Sequence, residues 1–179
     1  ETDIVGNFRL WTTGGDPATD TDDNQSLLNN DAFGTSYVLV SVDGATARYG
    51  SSAGKNVTFS KKVGDEILSV WEFRGVRFEQ KLRLHRSIYS TLSNLMRVEI
   101  GVHNADTRPH SVGVRIVLDT IAGNMDGEGF CLPGAGLVKK GTRIGARVPS
   151  LVFVCERPVK SPANLEINLY GSDLVTPDE

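Results

Sequence analysis

The stretch "VRFEQKLRL", residues 76–84, puts Val76, Phe78, Leu82 and Leu84 on one side of an extended chain and Arg77, Glu79, Lys81 and Arg83 on the other. Successive side chains of a strand point to opposite faces, so this period of two predicts a strand with one buried and one wet face. "MRVEIGV" (96–102) repeats the pattern, with Met96, Val98, Ile100 and Val102 inward and Arg97, Glu99 and His103 outward. "HSVGVRIVLD" (110–119) repeats it again with Val112, Val114, Ile116 and Leu118. Further strands are predicted at 36–42, 45–50, 56–62, 67–73, 150–156 and 164–170. No segment sustains the i, i+3, i+4, i+7 spacing of a helix. The expectation is an all-β, single-domain, antiparallel two-sheet sandwich spanning 1–179.

Between two of these strands, "NADTRPH" (104–110) reads as a hairpin loop, with Asp106 and Thr107 at turn positions and Pro109 steering Arg108 away from helical angles. Pairing Asn104 with His110 sets Glu99 opposite Arg115 and Arg97 opposite Val117, which joins an ion pair on the wet face to apolar pairing on the other. Two regions break the strand rhythm: a long aspartate-rich polar loop at about 12–34, and a glycine-rich loop at 119–136. The tail from about 171 resembles the start of a linker.

The 179 residues suffice for one domain with a real core. A net charge of -3, with the cations scattered along the strands, offers no basic field for nucleic acid. No apolar run is long enough to span a membrane as a helix. The chain begins at Glu1, which fits a processed protein or a piece of a longer one. Of the two cysteines, Cys155 closes the apolar run "LVFVC" and reads as a buried thiol; a Cys131–Cys155 disulfide is the alternative.

The run "MRVEIGVHNADTRPHSVGVRIVLDTIAGNMDGEGF" resembles a phrase of galactose-mutarotase-like, or supersandwich, β-sandwiches, over Val98 to Gly127. The resemblance implies long paired strands and a place in a bacterial surface or secreted protein. None of the acid and base residues of the sugar epimerases of that kind matches a position here, so no catalytic role is carried over.

The loops hold the candidate sites. Asn124, Asp126 and Glu128 stand two residues apart, with Asp119 just before them, and calcium seeks several hard oxygens that such a turn supplies. The bland reading is that Asp119 and Asn124 cap a turn and that Asp126-Gly127 makes a tight reversal. In "DTDDN", Asp20, Asp22 and Asn24 take alternate positions of a half-formed calcium loop; Gln25 stands where the sharp-turn glycine belongs, and a solvated surface loop is the competing reading. Asp119 and Glu128 are also the pair a carbohydrate-active domain would use. His103 and His110 approach each other near the hairpin end, without a metal-ligand pattern. Trp11, Tyr49, Trp71 and Phe73 line a sugar-binding face if exposed, or pack the core. No nucleophile elbow or phosphate-binding loop occurs. The reading is a non-enzymatic binding or structural module outside the cytoplasm, with carbohydrate or another protein as partner and calcium as its one candidate cofactor.

Overall fold

The computed structural model describes residues 2–12, 18, 23–28, 35–86, 93–122, 125–126, 130–132, 136–138, 151–154 and 165–168. The regular structure among the described residues is strand, and every pairing is antiparallel. The chain divides into two compact units: Glu1–Phe8 with Phe33–Leu118, and Arg9–Ala32 with Asp119–Glu179.

The first unit is a two-sheet sandwich. Its strands are β1 (Tyr37–Val42), β2 (Ala45–Arg48), β3 (Lys55–Val63), β4 (Glu66–Phe73), β5 (Val76–Arg86), β6 (Ser93–Asn104) and β7 (Val112–Val117). One sheet runs β2-β1-β7, the other is the meander β3-β4-β5-β6. The alternation holds over 76–82, with Val76, Phe78 and Leu82 buried against their β4 partners Phe73, Trp71 and Ile67. Leu84, expected on the same inner face, is exposed because it lies past Arg83, where the pairing with β4 ends. The core cluster joins Val38, Val40, Val42, Ala47 and Tyr49 to Trp71, Phe73, Val76 and Phe78, so both sheets contribute to one apolar layer. Trp71 lies at its centre, stacked on Phe73 at 5.5 Å and tilted against Tyr49 at 5.7 Å.

Residues 2–8 close one flank of this sandwich. Asp3 Oδ1 accepts the Val5 and Asn7 amides at 3.0 and 2.8 Å, folding the segment on itself. Ile4 O accepts the Ser60 amide of β3, and Asn7 Oδ1 accepts Arg48 Nη2 of β2 at 2.6 Å. Gly6 reaches deeper: its carbonyl accepts Nε2 of the buried Gln80 at 2.6 Å.

The expected hairpin between β6 and β7 does not form. β6 pairs with β5 and β7 pairs with β1, so loop 105–111 carries the chain from one sheet to the other. Glu99 therefore faces Lys81, Arg97 faces Arg83, and Arg115 faces Leu39. The physical reason is degeneracy: Glu99 meets a cation in either register, so charge pairing does not choose between them.

In the second unit, β8 (Ile121–Ala122) pairs with β9 (Met125–Asp126), and a four-stranded sheet runs β11-β10-β12-β13, with β10 Phe130–Leu132, β11 Gly136–Val138, β12 Leu151–Val154 and β13 Leu165–Asn168. Part of the polar 12–34 segment is not a solvated loop. Ser26 bridges Trp11, Leu28 bridges Thr120, and Leu28 is fully buried. The paired leucines at 27–28 bring apolar area that an average over the aspartate-rich stretch conceals.

Candidate functional site

The calcium candidates meet the structure unevenly. Asp20, Asp22, Asn124 and Glu128 lie outside the described residues. Asn24 takes a left-handed φ of 54°, and its amide donates to Thr12 O at 3.1 Å, so its backbone shapes the turn that brings 25–26 onto Trp11 and Thr12. Asp119 lies two residues past the end of β7, half-buried. Asp126 sits in β9 opposite Ile121. Ala122 pairs with Met125 in the same ladder. Gly127, of the expected Asp126-Gly127 reversal, lies outside the described residues. Among the described residues no group of three or more His, Cys, Asp or Glu side chains gathers in a metal-holding arrangement. Cys131 stands opposite Leu137 and Phe153, and Cys155 lies outside the described residues.

A polar constellation that the sequence did not reveal forms where three connections of the sandwich meet. The β1–β2 turn is Asp43-Gly44 with φ of 50° and 79°, and the β4–β5 turn is Arg74-Gly75 with φ of 51° and 80°. Both have the left-handed pair that a two-residue hairpin needs. Loop 105–111 is held by its own side chains: Asn104 Oδ1 accepts the Asp106 amide, Asp106 Oδ1 accepts the Arg108 amide, and Asn104 Nδ2 donates to Arg108 O. The Ala105 amide donates to Gly75 O at 2.8 Å, and a Cβ on Gly75 would run into the Asp106 carboxylate.

His110 locks these parts together. Its Nδ1 lies 2.8 Å from Asp43 Oδ2 and its Nε2 2.9 Å from Asp106 Oδ2, with only 1% of the side chain exposed. Asp43 Oδ1 also accepts the Ser111 amide, and the Asp43 amide donates to Ser111 O. The hydrogen bond to Asp43, then that to Asp106, raises the imidazole pKa above its ordinary 6.5. Asp43 is held below its ordinary value chiefly by His110, and Asp106 chiefly by the Arg108 amide. The imidazolium form donates from both nitrogens to two carboxylates, which leaves no ring lone pair for proton abstraction or metal binding. This is a clip between two loops. No family model, curated protein or solved structure matches this chain.

His103 stands opposite Arg77 in the sheet. Tyr49, Trp71 and Phe73 are core residues and are not available to a sugar. Burial pushes the Tyr49 hydroxyl up to about 12, and that hydroxyl is bonded to Ser69 Oγ at 2.9 Å. The outer face of the meander carries ion pairs Arg77–Glu72, Lys81–Glu79, Arg83–Glu66 and Arg97–Glu99. Glu66, Lys81, Arg83, His85, Arg97 and Glu99 line a shallow depression of about 60 Å³ on it. Exposed pairs of this kind contribute little to stability and make the face hydrophilic. Among the described residues no helix is long and apolar enough to cross a membrane.

The clip predicts a two-sided pH profile, with Asp43, Asp106 and Arg108 as the charges facing His110. A raised histidine pKa adds stability that is complete below 6.5 and is lost as pH rises through the folded value. Lowered carboxylate pKa values add stability that is complete above 3.8 and is lost as pH falls through theirs. Thermal melting should therefore peak between these limits, and His110→Gln should flatten the alkaline limb. An alkaline limb identical in the two proteins would exclude the clip as its cause.

Proposed function

We propose that this chain is a non-enzymatic binding or structural module of a larger bacterial surface or secreted protein, of the supersandwich kind. The observation that carries the reading is the state of His110. His110, gathered with two carboxylates, has both nitrogens engaged and stiffens a rim of connections. A rigid scaffold with fixed loops suits presentation of a binding surface to carbohydrate or to another protein. Glycan-array and pull-down measurements on the intact chain, run beside an oligosaccharide turnover assay, test it. Binding without turnover supports the module; turnover that vanishes in Asp119→Ala or Glu128→Ala replaces it with a carbohydrate-active domain.

Calcium held by oxygens of the 119–128 and 20–24 loops would stabilise such a module. At free calcium about 100-fold above the dissociation constant, binding adds about 2.7 kcal/mol. Melting in millimolar calcium should then exceed melting in EDTA by about 5–10 °C. Coincident curves would remove calcium from the proposal and leave the module reading standing.

A further inference from the structure

We infer that the outer edge of β6 is a docking edge for a second copy of this chain. The two flanks of the sandwich are finished differently. On one, β3 is interrupted by register shifts between Asn56 and Thr58 and between Thr58 and Lys61, carries Lys55, Lys61 and Lys62, and is covered by residues 2–8. Bulges, lysines and a covering segment are the usual protections of an edge strand against pairing with another chain.

On the other flank, among the described residues, β6 ends its sheet and β7 ends the other. From 93 to 104, β6 has neither proline nor lysine, and its pairing with β5 is continuous from Asn104 to Leu95. Apolar side chains of the inward-facing register stay open here: Val102 on β6, and Val112, Val114 and Ile116 on β7, are each between 37% and 42% exposed. Exposed apolar side chains along two edges that no other strand pairs among the described residues mark an interaction surface.

The charges of β6 select the occupant. An antiparallel two-fold centred on Val98 sets Arg97 opposite Glu99 of the second copy, and Glu99 opposite its Arg97. On the other face, Met96 meets Ile100 of the second copy and Val98 meets its counterpart. Centring on Arg97 or Glu99 opposes like charges, and centring on Ile100 sets Arg97 against His103. The strand is thus self-complementary in the one register that pairs both charges, as an isologous interface requires. Arg97 and Glu99 now bond within their own strand at 3.4 Å and are half-exposed, so both are free to exchange that contact for one across the axis. The product is an eight-stranded sheet continuous through two β6 strands.

Sedimentation velocity over a concentration series of the intact chain tests this. Wild type should dimerise. Arg97→Glu and Glu99→Arg should each weaken self-association about tenfold or more, since two attractive cross-strand pairs become repulsive. An equimolar mixture of the two variants should recover the dimer, because glutamates of one chain then face arginines of the other. The melting curve of each variant alone reports that its fold is intact. Wild type that stays monomeric, or a dimer that ignores both swaps and gains nothing on mixing, overturns the inference.

Discussion

Trp71→Ala should destabilise the sandwich by about 3–5 kcal/mol, the usual cost of removing a large aromatic from a packed core. Trp71 is fully buried, in ring contact with Tyr49, Phe73 and Phe78, and the indole Nε1 donates to Ser51 O at 3.2 Å. Alanine leaves a cavity that rings fixed on two sheets do not collapse to fill, and it removes the indole donor from Ser51 O, which keeps only the Gly54 amide at 3.3 Å. Against a total stability of about 5–15 kcal/mol for a domain of ordinary size, this is a large fraction. Trp71→Phe retains a ring and should cost less, mainly the indole hydrogen bond and part of the volume. Urea midpoints followed by far-UV circular dichroism give both values. A Trp71→Ala cost below about 1 kcal/mol would mean that the site lies on a mobile surface and not at a packed centre.

That centre was legible in the sequence because period two is a local property. Residues 76–84 and 67–73 each declare a buried face without reference to any partner, and the strands β1 to β7 follow the expected positions. Partnership was not legible, because it is non-local. "MRVEIGV" offers Glu99 to Arg115 in one topology and to Lys81 in another, and both satisfy the same pairing rule. What decides is loop 105–111, whose internal hydrogen bonds and Pro109 shape an arch between sheets instead of a hairpin turn. In 119–138 the apolar runs are two or three residues long between glycines, too short for periodicity to register, yet β8 to β11 form there by pairing.

The histidine clip was hidden for a related reason. Asp43, Gly75, Asp106 and His110 belong to three different connections, and each reads locally as ordinary turn chemistry. Asp43-Gly44 did carry a hairpin signal, and Asp106 was readable as a turn residue, but nothing in one dimension says that their carboxylates share an imidazole. Conversely, the alternation of Asn124, Asp126 and Glu128 was conspicuous in one dimension, whereas Asn24 and Asp126 meet the structure through backbone turns and pairing. Side-chain type at regular spacing marks the strands well. It does not mark the histidine clip, because that cluster is assembled by the fold.

Gly6→Ala should cost about 2–4 kcal/mol, although alanine adds one methyl group to a short N-terminal segment. Gly6 has φ of 97°, a conformation that L side chains rarely adopt. A Cβ there would lie 2.8 Å from Ser69 Oγ and 2.9 Å from the Tyr49 ring, both fixed in the core by their mutual hydrogen bond. Neither neighbour can retreat without breaking that bond, so the segment must move, and its movement removes the carbonyl that accepts Gln80 Nε2. Gln80 Oε1 already has no hydrogen-bond partner among the described residues, so the buried amide would lose its remaining side-chain partner. An unpaired buried polar group carries a penalty of about 1–3 kcal/mol by itself. Hydrogen exchange separates the two ways the strain can resolve. If the segment detaches, the Ser60 amide, which donates to Ile4 O, loses protection while core amides of β4 and β5 keep theirs. If it stays, the loss of stability is global and all these amides exchange faster together. An unchanged urea midpoint together with unchanged Ser60 protection would show that residues 2–8 do not insert into the flank at all, and would remove the contrast between a closed β3 edge and an open β6 edge on which the second-copy interface depends.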